Sequence, residues 1–202
     1  CKDPAFSTTL IDRLIFLISN AGITPKIVIT KTDLISDDDL IYHEIEEYRK
    51  SGYEVVLKRD KEALDRLFKG KISVLTGQSG AGKSSLLNTL DDTLQLPTQE
   101  ISKALGRGKH TTRHVELLPL KEGYIADTPG FSSLDFTPLT KRQLASCVPD
   151  FKKYSCNCRF NDCIHENEPG CAVKEAVGEV SKTRYTHYLE CLKLCKGKDY
   201  EL

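Results

Sequence analysis

The sequence contains no methionine and no tryptophan. A chain without methionine, even at position 1, reads as a piece of a longer protein. Charge of one sign is also lacking: lysine plus arginine number 29, aspartate plus glutamate number 29, and the formal net charge is zero. A neutral balance gives no global pull toward nucleic acid or an anionic membrane, so any such contact needs a local patch. No apolar run is long enough to span a bilayer. The start, Cys1-Lys2-Asp3-Pro4, has no basic stretch followed by an apolar one, so no secretion signal is expected. Together these absences predict a soluble cytoplasmic chain.

What is present suffices for folding. The chain has 202 residues and 39% apolar content, enough for one core and a small second unit. Apolar residues recur at helical spacing from Thr8 to Asn20, with Gly22 as a stop. Short β-branched runs at Lys26–Ile29, Tyr53–Leu57 and Ile72–Thr76 read as strands. Asp37–Lys50, Lys61–Phe68 and Lys83–Leu90 read as helices, and Val115–Leu118 and Gly123–Ala126 as further strands. The alternation predicts an α/β fold with a largely parallel sheet. After Thr137 the pattern turns helical and cysteine-rich, which puts a module boundary near Asp150.

Gly77-Gln78-Ser79-Gly80-Ala81-Gly82-Lys83-Ser84 fits G-x-x-x-x-G-K-[ST], with a strand before it and a helix after it. Glycines let the backbone wrap phosphate oxygens, and the following helix N-terminus favours anions. Lys83 can reach the β- and γ-phosphates, and the Ser84 hydroxyl can hold Mg²⁺. Ser85 completes the segment. Asp127-Thr128-Pro129-Gly130 follows a strand. There Asp127 suits the Mg²⁺ shell and the Gly130 amide suits the γ-phosphate. Thr30-Lys31-Thr32-Asp33 follows the strand ending at Ile29 and is similar to the Asn-Lys-x-Asp element of GTPases. One buried carboxylate, Asp33, can accept from guanine N1–H and the 2-amino group, a donor pair adenine lacks. Thr30 stands where Asn is usual, which keeps a hydroxyl and loses an amide. The stretch Leu57-Lys58-Arg59-Asp60 lies where a second guanine-contacting loop belongs and matches none.

The order is unusual, because the base-reading element precedes the phosphate loop. Five of the eight cysteines fall between Cys147 and Cys171, near His165. That clustering favours a metal over a disulfide scaffold. In this order the motifs resemble the circularly permuted GTPases of bacterial small ribosomal subunit biogenesis, the ribosome-small-subunit-dependent GTPase A family. Carrying the resemblance are Thr30–Asp33, Gly77–Ser85, Gly106-Arg107-Gly108-Lys109-His110-Thr111-Thr112-Arg113, Asp127–Phe131 and the cysteine/histidine cluster.

The resemblance implies a P-loop GTPase fold of permuted order over residues 1–150 and a small helical zinc-binding module over 151–202. It also implies an N-terminal oligonucleotide-binding barrel that this sequence lacks. GTP and GDP are the implied nucleotides, with Mg²⁺ beside them. Phe131 replaces the glutamine that orients water in Ras-like enzymes, which leaves His110 as the candidate catalytic residue. Thr111 or Thr112 is the candidate second hydroxyl for Mg²⁺, with Thr112 preferred. Cys158, Cys163, His165 and Cys171 supply a Cys₃His set for one structural Zn²⁺ per chain, with Cys156 outside the family spacing. The implied partners are the small (30S) ribosomal subunit and its rRNA, met in part by the basic run Lys103-Arg107-Lys109-Arg113. A monomer with no membrane partner is expected. A P-loop ATPase or nucleotide kinase of another class, or an RNA-binding zinc module with a vestigial nucleotide fold, is the competing reading. Asp33 argues against the first, and Lys83, Ser84 and Asp127 argue against the second.

Overall fold

The computed structural model describes residues 4–36, 39–91, 93–94, 116–127 and 134–198. They form two compact units. One comprises Cys1–Phe6, Ile27–His43 and Val55–Ser132, the other Ser7–Lys26, Glu44–Glu54 and Ser133–Leu202. The chain thus passes between units more often than a single boundary near Asp150 would require.

The first unit holds the strands. β1 (Ile27–Ile29) pairs in parallel with β2 (Val55–Leu57), Ile29 opposite Leu57. β3 (Ile72–Val74) pairs in parallel with β5 (Gly123–Asp127), and β4 (Glu116–Leu120) lies antiparallel on the other side of β5. Among the described residues there are therefore two parallel pairs and one hairpin rather than a single parallel sheet. The hairpin turn is Lys121-Glu122, both at positive φ, 48° and 62°. That is the two-residue geometry matching strand twist, here built without the usual Asn or Gly. Gly123 follows where a Cβ would sit 2.2 Å from the Lys71 carbonyl oxygen, so only glycine lets β5 start there.

Helix α3 (Lys61–Phe68) begins at Asp60, whose carboxylate accepts from the Ala63 amide at 3.0 Å. Its Leu64, Leu67 and Phe68 pack with Leu86, Leu87 and Leu90 of α4 (Lys83–Leu90), and with Val56, Leu120 and Ile125 from the strands. This core fixes the end of β3 and the start of α4, the two supports of the glycine-rich loop.

The second unit is helical. α1 (Thr8–Asn20) is capped by Ser7, whose hydroxyl accepts from the Leu10 amide, and it stops at Gly22, φ 73°. α5 (Lys141–Cys147) starts on a capping box of Thr140 and Gln143. α8 (Lys182–Leu194), capped by Ser181, packs beside α1. Between them lie α6 (Lys152–Ser155) and α7 (Ala172–Glu175). Helix α2 (Leu40–Lys50) is divided between the units and buries Ile45 and Tyr48. Phe16, Phe136, Leu144, Val148, Phe151, Val173, Tyr188 and Leu192 form this unit's apolar interior. Among the described residues no helix is long and apolar enough to cross a membrane.

Candidate functional site

The glycine-rich loop takes the backbone its composition permits. Gly77, Gly80 and Gly82 sit at φ 143°, 76° and 86°, where side-chain-bearing residues are strained. Gly82 is the N-cap of α4, so the loop delivers the chain to a helix start. Gln78, Ser79 and Gly80 are exposed, Ala81 is half-buried, and the Ser84 hydroxyl is buried in the first turn. Lys83 curls back over the loop. Its ammonium donates to the carbonyls of Gly77 at 2.7 Å and Gln78 at 2.9 Å. Burial holds its pKa below the usual lysine value. Two neutral carbonyls and partial desolvation leave that cation ready for an anion. Gln78 also donates to the Ala5 carbonyl at 3.0 Å, so the chain before α1 runs along this loop.

The Thr30–Asp33 segment is brought to the same place. The Thr30 hydroxyl donates to the Ala81 carbonyl at 2.6 Å. Lys31 adopts the left-handed conformation, φ 55°, and Thr32–Leu34 make a 3₁₀ turn. Asp33 is exposed on that turn, not buried as the sequence reading has it. The reason is local: it lies on a three-residue turn that buries none of its own residues. Ser85 accepts at 2.6 Å from the Lys58 ammonium, a contact the sequence reading missed. The strand register would have pointed to it, since Leu57 opposite Ile29 puts Lys58 next to Thr30. His110, Thr112 and Gly130 lie outside the described residues, as does the Lys103–Arg113 basic run. Asp127 ends β5, which pairs with β3 leading into the loop.

The metal candidates converge. The ligand atoms of Cys158, Cys163, His165 and Cys171 all lie within 4.8 Å of one another. Cys158 Sγ is 3.7 Å from His165 Nδ1 and 4.0 Å from Cys171 Sγ, and His165 Nδ1 is 3.4 Å from Cys171 Sγ. Tetrahedral zinc with ordinary bond lengths needs edges of about 3.5–3.8 Å, so the set fits the ion. Cys156 is exposed and outside the cluster, and among the described residues every cysteine is free. Desolvation pushes the Cys163 thiol up to about 12 and raises Cys171. Burial lowers His165, favouring its neutral, ligating form.

The surrounding loop is held by backbone contacts. The Glu168 carboxylate accepts from the amides of Ile164 at 2.8 Å, Glu166 at 2.9 Å and Asn167 at 3.1 Å. Those bonds hold its pKa low against the desolvation that opposes them. From α8, Tyr185 donates to the His165 carbonyl at 2.7 Å and Tyr188 to the Ile164 carbonyl. Phe151 meets the His165 ring edge-on, centroids 5.4 Å apart. These contacts hold the His165 backbone, and Phe151 packs against its imidazole.

Comparison with known proteins identifies the family. The RsgA GTPase family model matches residues 1–137. The small ribosomal subunit biogenesis GTPase RsgA of Bacillus subtilis (strain 168) is 48% identical, the match covering 96% of this chain and 69% of that protein. RsgA 1 of Listeria monocytogenes serotype 4b is 46% identical over 97% of this chain and 70% of its own length. Among solved structures, YloQ, a circularly permuted GTPase, superposes with a TM-score of 0.74 at 42% identity, covering 94% of this chain and 63% of that one. YjeQ from Thermotoga maritima gives 0.75 at 35% identity, covering 94% and 66%. The chain spans about two thirds of these proteins' lengths. With its Thr30–Asp33 segment ahead of its glycine-rich loop, and with this family match and these identities, the chain belongs to the RsgA GTPase family.

Proposed function

We propose that this chain binds GTP, hydrolyses it to GDP and phosphate under stimulation by the small (30S) ribosomal subunit, and acts late in that subunit's assembly while bound to its rRNA. The observation that supports this best is the hydrogen bond from Thr30 to Ala81. It joins a guanine-type loop to a phosphate loop in the permuted order of the relatives, which are named small ribosomal subunit biogenesis GTPases.

The residue roles follow from chemistry. Thr30, Lys31, Thr32 and Asp33 meet the base, and a covering guanine supplies the burial that the exposed Asp33 lacks. Gly77, Gln78, Ser79, Gly80, Ala81 and Gly82 wrap the phosphates with Lys83, while Ser84 and Ser85 open the helix beneath them. The hydroxyls of Ser84 and Thr112 and the carboxylate of Asp127 are oxygen donors of the kind a hard cation takes. When bound, Mg²⁺ neutralises phosphate oxygens there. Gly130 senses the γ-phosphate, and His110 orients the attacking water, a task Phe131 cannot perform. One Zn²⁺ held by Cys158, Cys163, His165 and Cys171 has four protein ligands and no open position, so its role is structural. The nucleotide chemistry belongs to residues 1–150 and the zinc module to 151–202. The chain works as a monomer in the cytoplasm.

The test is GTP turnover with and without purified small ribosomal subunits, with ATP and Lys83→Ala as controls. Stimulation specific to GTP is expected. Equal turnover of ATP, or no GTP turnover with subunits present, overturns the proposal.

A further inference from the structure

The segment after β2 matches no guanine-contacting pattern, yet it is built into the nucleotide site. The Lys58 amide donates to the Ile29 carbonyl at 2.8 Å, which sets Lys58 beside Thr30. Its half-buried side chain leaves the strand end and donates to the Ser85 hydroxyl at 2.6 Å. Ser85 is the third residue of α4, directly behind Lys83 and Ser84. Among the described residues no carboxylate is paired with this ammonium. A hydroxyl compensates only part of a partly desolvated charge. The result is a cation anchored at the base end, aimed at the phosphate helix, with a neutral partner.

We propose that Lys58 is a nucleotide-binding residue whose ammonium meets the α-phosphate of a guanine nucleotide. This rests on the guanine-nucleotide reading above. The choice of phosphate follows from the order of groups along the site. Thr30 to Asp33 mark the base end, Lys83 serves the β- and γ-phosphates, and Ser84 serves the cation. Between them lie the ribose and the α-phosphate, and only the α-phosphate carries charge. That group is present in GMP, GDP and GTP, bridging and singly charged in the last two, and stays intact when the β–γ bridge is cleaved. Lys58 therefore contributes uniform binding, which lowers KM without changing kcat.

The experiment is competition against a fluorescent GDP in the wild-type chain, Lys58→Met and Lys58→Arg, with guanosine, GMP, GDP and GTP as competitors. Lys58→Met is expected to weaken GDP and GTP by one common factor of about tenfold, the scale of a charged hydrogen bond, to weaken GMP by at least that much, and to leave guanosine unchanged. KM for GTP rises by the same factor at constant kcat, and the melting temperature stays within about 2 °C of wild type. Lys58→Arg keeps the charge and recovers most of the affinity. A wild-type chain that binds no guanine nucleotide would sink the underlying reading. A wild type that binds, matched by Lys58→Met, sinks the Lys58 assignment alone. Guanosine weakened by the same factor would place the ammonium on the base and overturn the α-phosphate contact. Equal losses in the Met and Arg variants would assign the effect to packing of the stem and overturn it as well.

Discussion

The Thr30 hydroxyl and the Ala81 carbonyl stand 51 positions apart in the chain and share a 2.6 Å hydrogen bond. The Thr30 side chain also lies against Gly82, where an added Cβ would meet it at 3.6 Å. The Asn-Lys-x-Asp element that this segment resembles has Asn at this position. In this chain the shorter Thr30 hydroxyl does the bracing.

Thr30→Val keeps the shape and removes the donor. One part-buried hydrogen bond is worth about 1 kcal/mol net, so GDP and GTP should bind roughly fivefold more weakly. Thr30→Asn should restore the brace. Titration with a fluorescent GDP measures both, and an unchanged affinity in Thr30→Val would remove the bridge from the binding site.

Lys83→Ala should abolish nucleotide binding, a loss of roughly a hundredfold or more for a cation between charged phosphates. The carbonyls of Gly77 and Gln78 that it releases lie on an accessible loop, where water can take its place. The free variant should therefore keep its melting temperature and its zinc. Equal GTP affinity in this variant would end the phosphate-loop assignment.

Periodicity and motif spacing made most of this legible. Helices α1, α3 and α4 lie where the apolar spacing put them, because each carries its own stop or cap: Gly22, Asp60 and Gly82. β4 runs on to Leu120 because Lys121 and Glu122 make a positive-φ turn with residues that do not advertise one. The four metal candidates meet as their Cys₃His spacing implied. Lys58 stayed hidden because its role comes from strand register, not from a local pattern. The share of α1 in the helical unit was equally hidden. It depends on Asp12 meeting α8, a contact between distant parts of the chain.

Cys163→Ser should lower zinc below one per chain and destabilise the helical unit, since structural metal binding is folding free energy. Cys156→Ser should leave zinc content unchanged, because that thiol is exposed and outside the cluster. Metal analysis with thermal melting, before and after a chelator, separates the two. A one-to-one zinc content in Cys163→Ser would refute the ligand set.

Arg184 is the most demanding residue of the helical unit. Its Nε donates to Asp12 at 3.0 Å, and its Nη1 to Asp150 and Ser51, both at 2.9 Å. All three charged side chains are nearly free of solvent, at 2%, 1% and 3% exposure. The rings of Tyr48 and Tyr53 lie 4.5 and 4.9 Å from the guanidinium carbon. Arg184→Met leaves two buried carboxylates without their cation, which costs about 3–5 kcal/mol. Arg184→Lys cannot reproduce the fork and should recover little. Urea denaturation reads the loss, and a change under about 1 kcal/mol in Arg184→Met would contradict this account.

The same network predicts how stability responds to alkali. Tyr48 donates to Asp12 at 2.8 Å and Tyr53 to Asp150 at 2.9 Å. Burial first, then the nearby carboxylates, raises both phenols well above the ordinary tyrosine value, although Arg184 opposes the shift. The unfolded chain releases these protons near pH 10, while the folded chain keeps them. The stabilisation is therefore complete below about pH 10 and falls as pH rises beyond it, since the unfolded state then binds fewer protons. Tyr48→Phe/Tyr53→Phe should start less stable at neutral pH, having lost two hydrogen bonds, and should decline less steeply in alkali. Denaturation midpoints at several pH values either side of about 10 give both slopes. Identical slopes would mean that the two phenols ionise as readily in the folded chain as in the unfolded one.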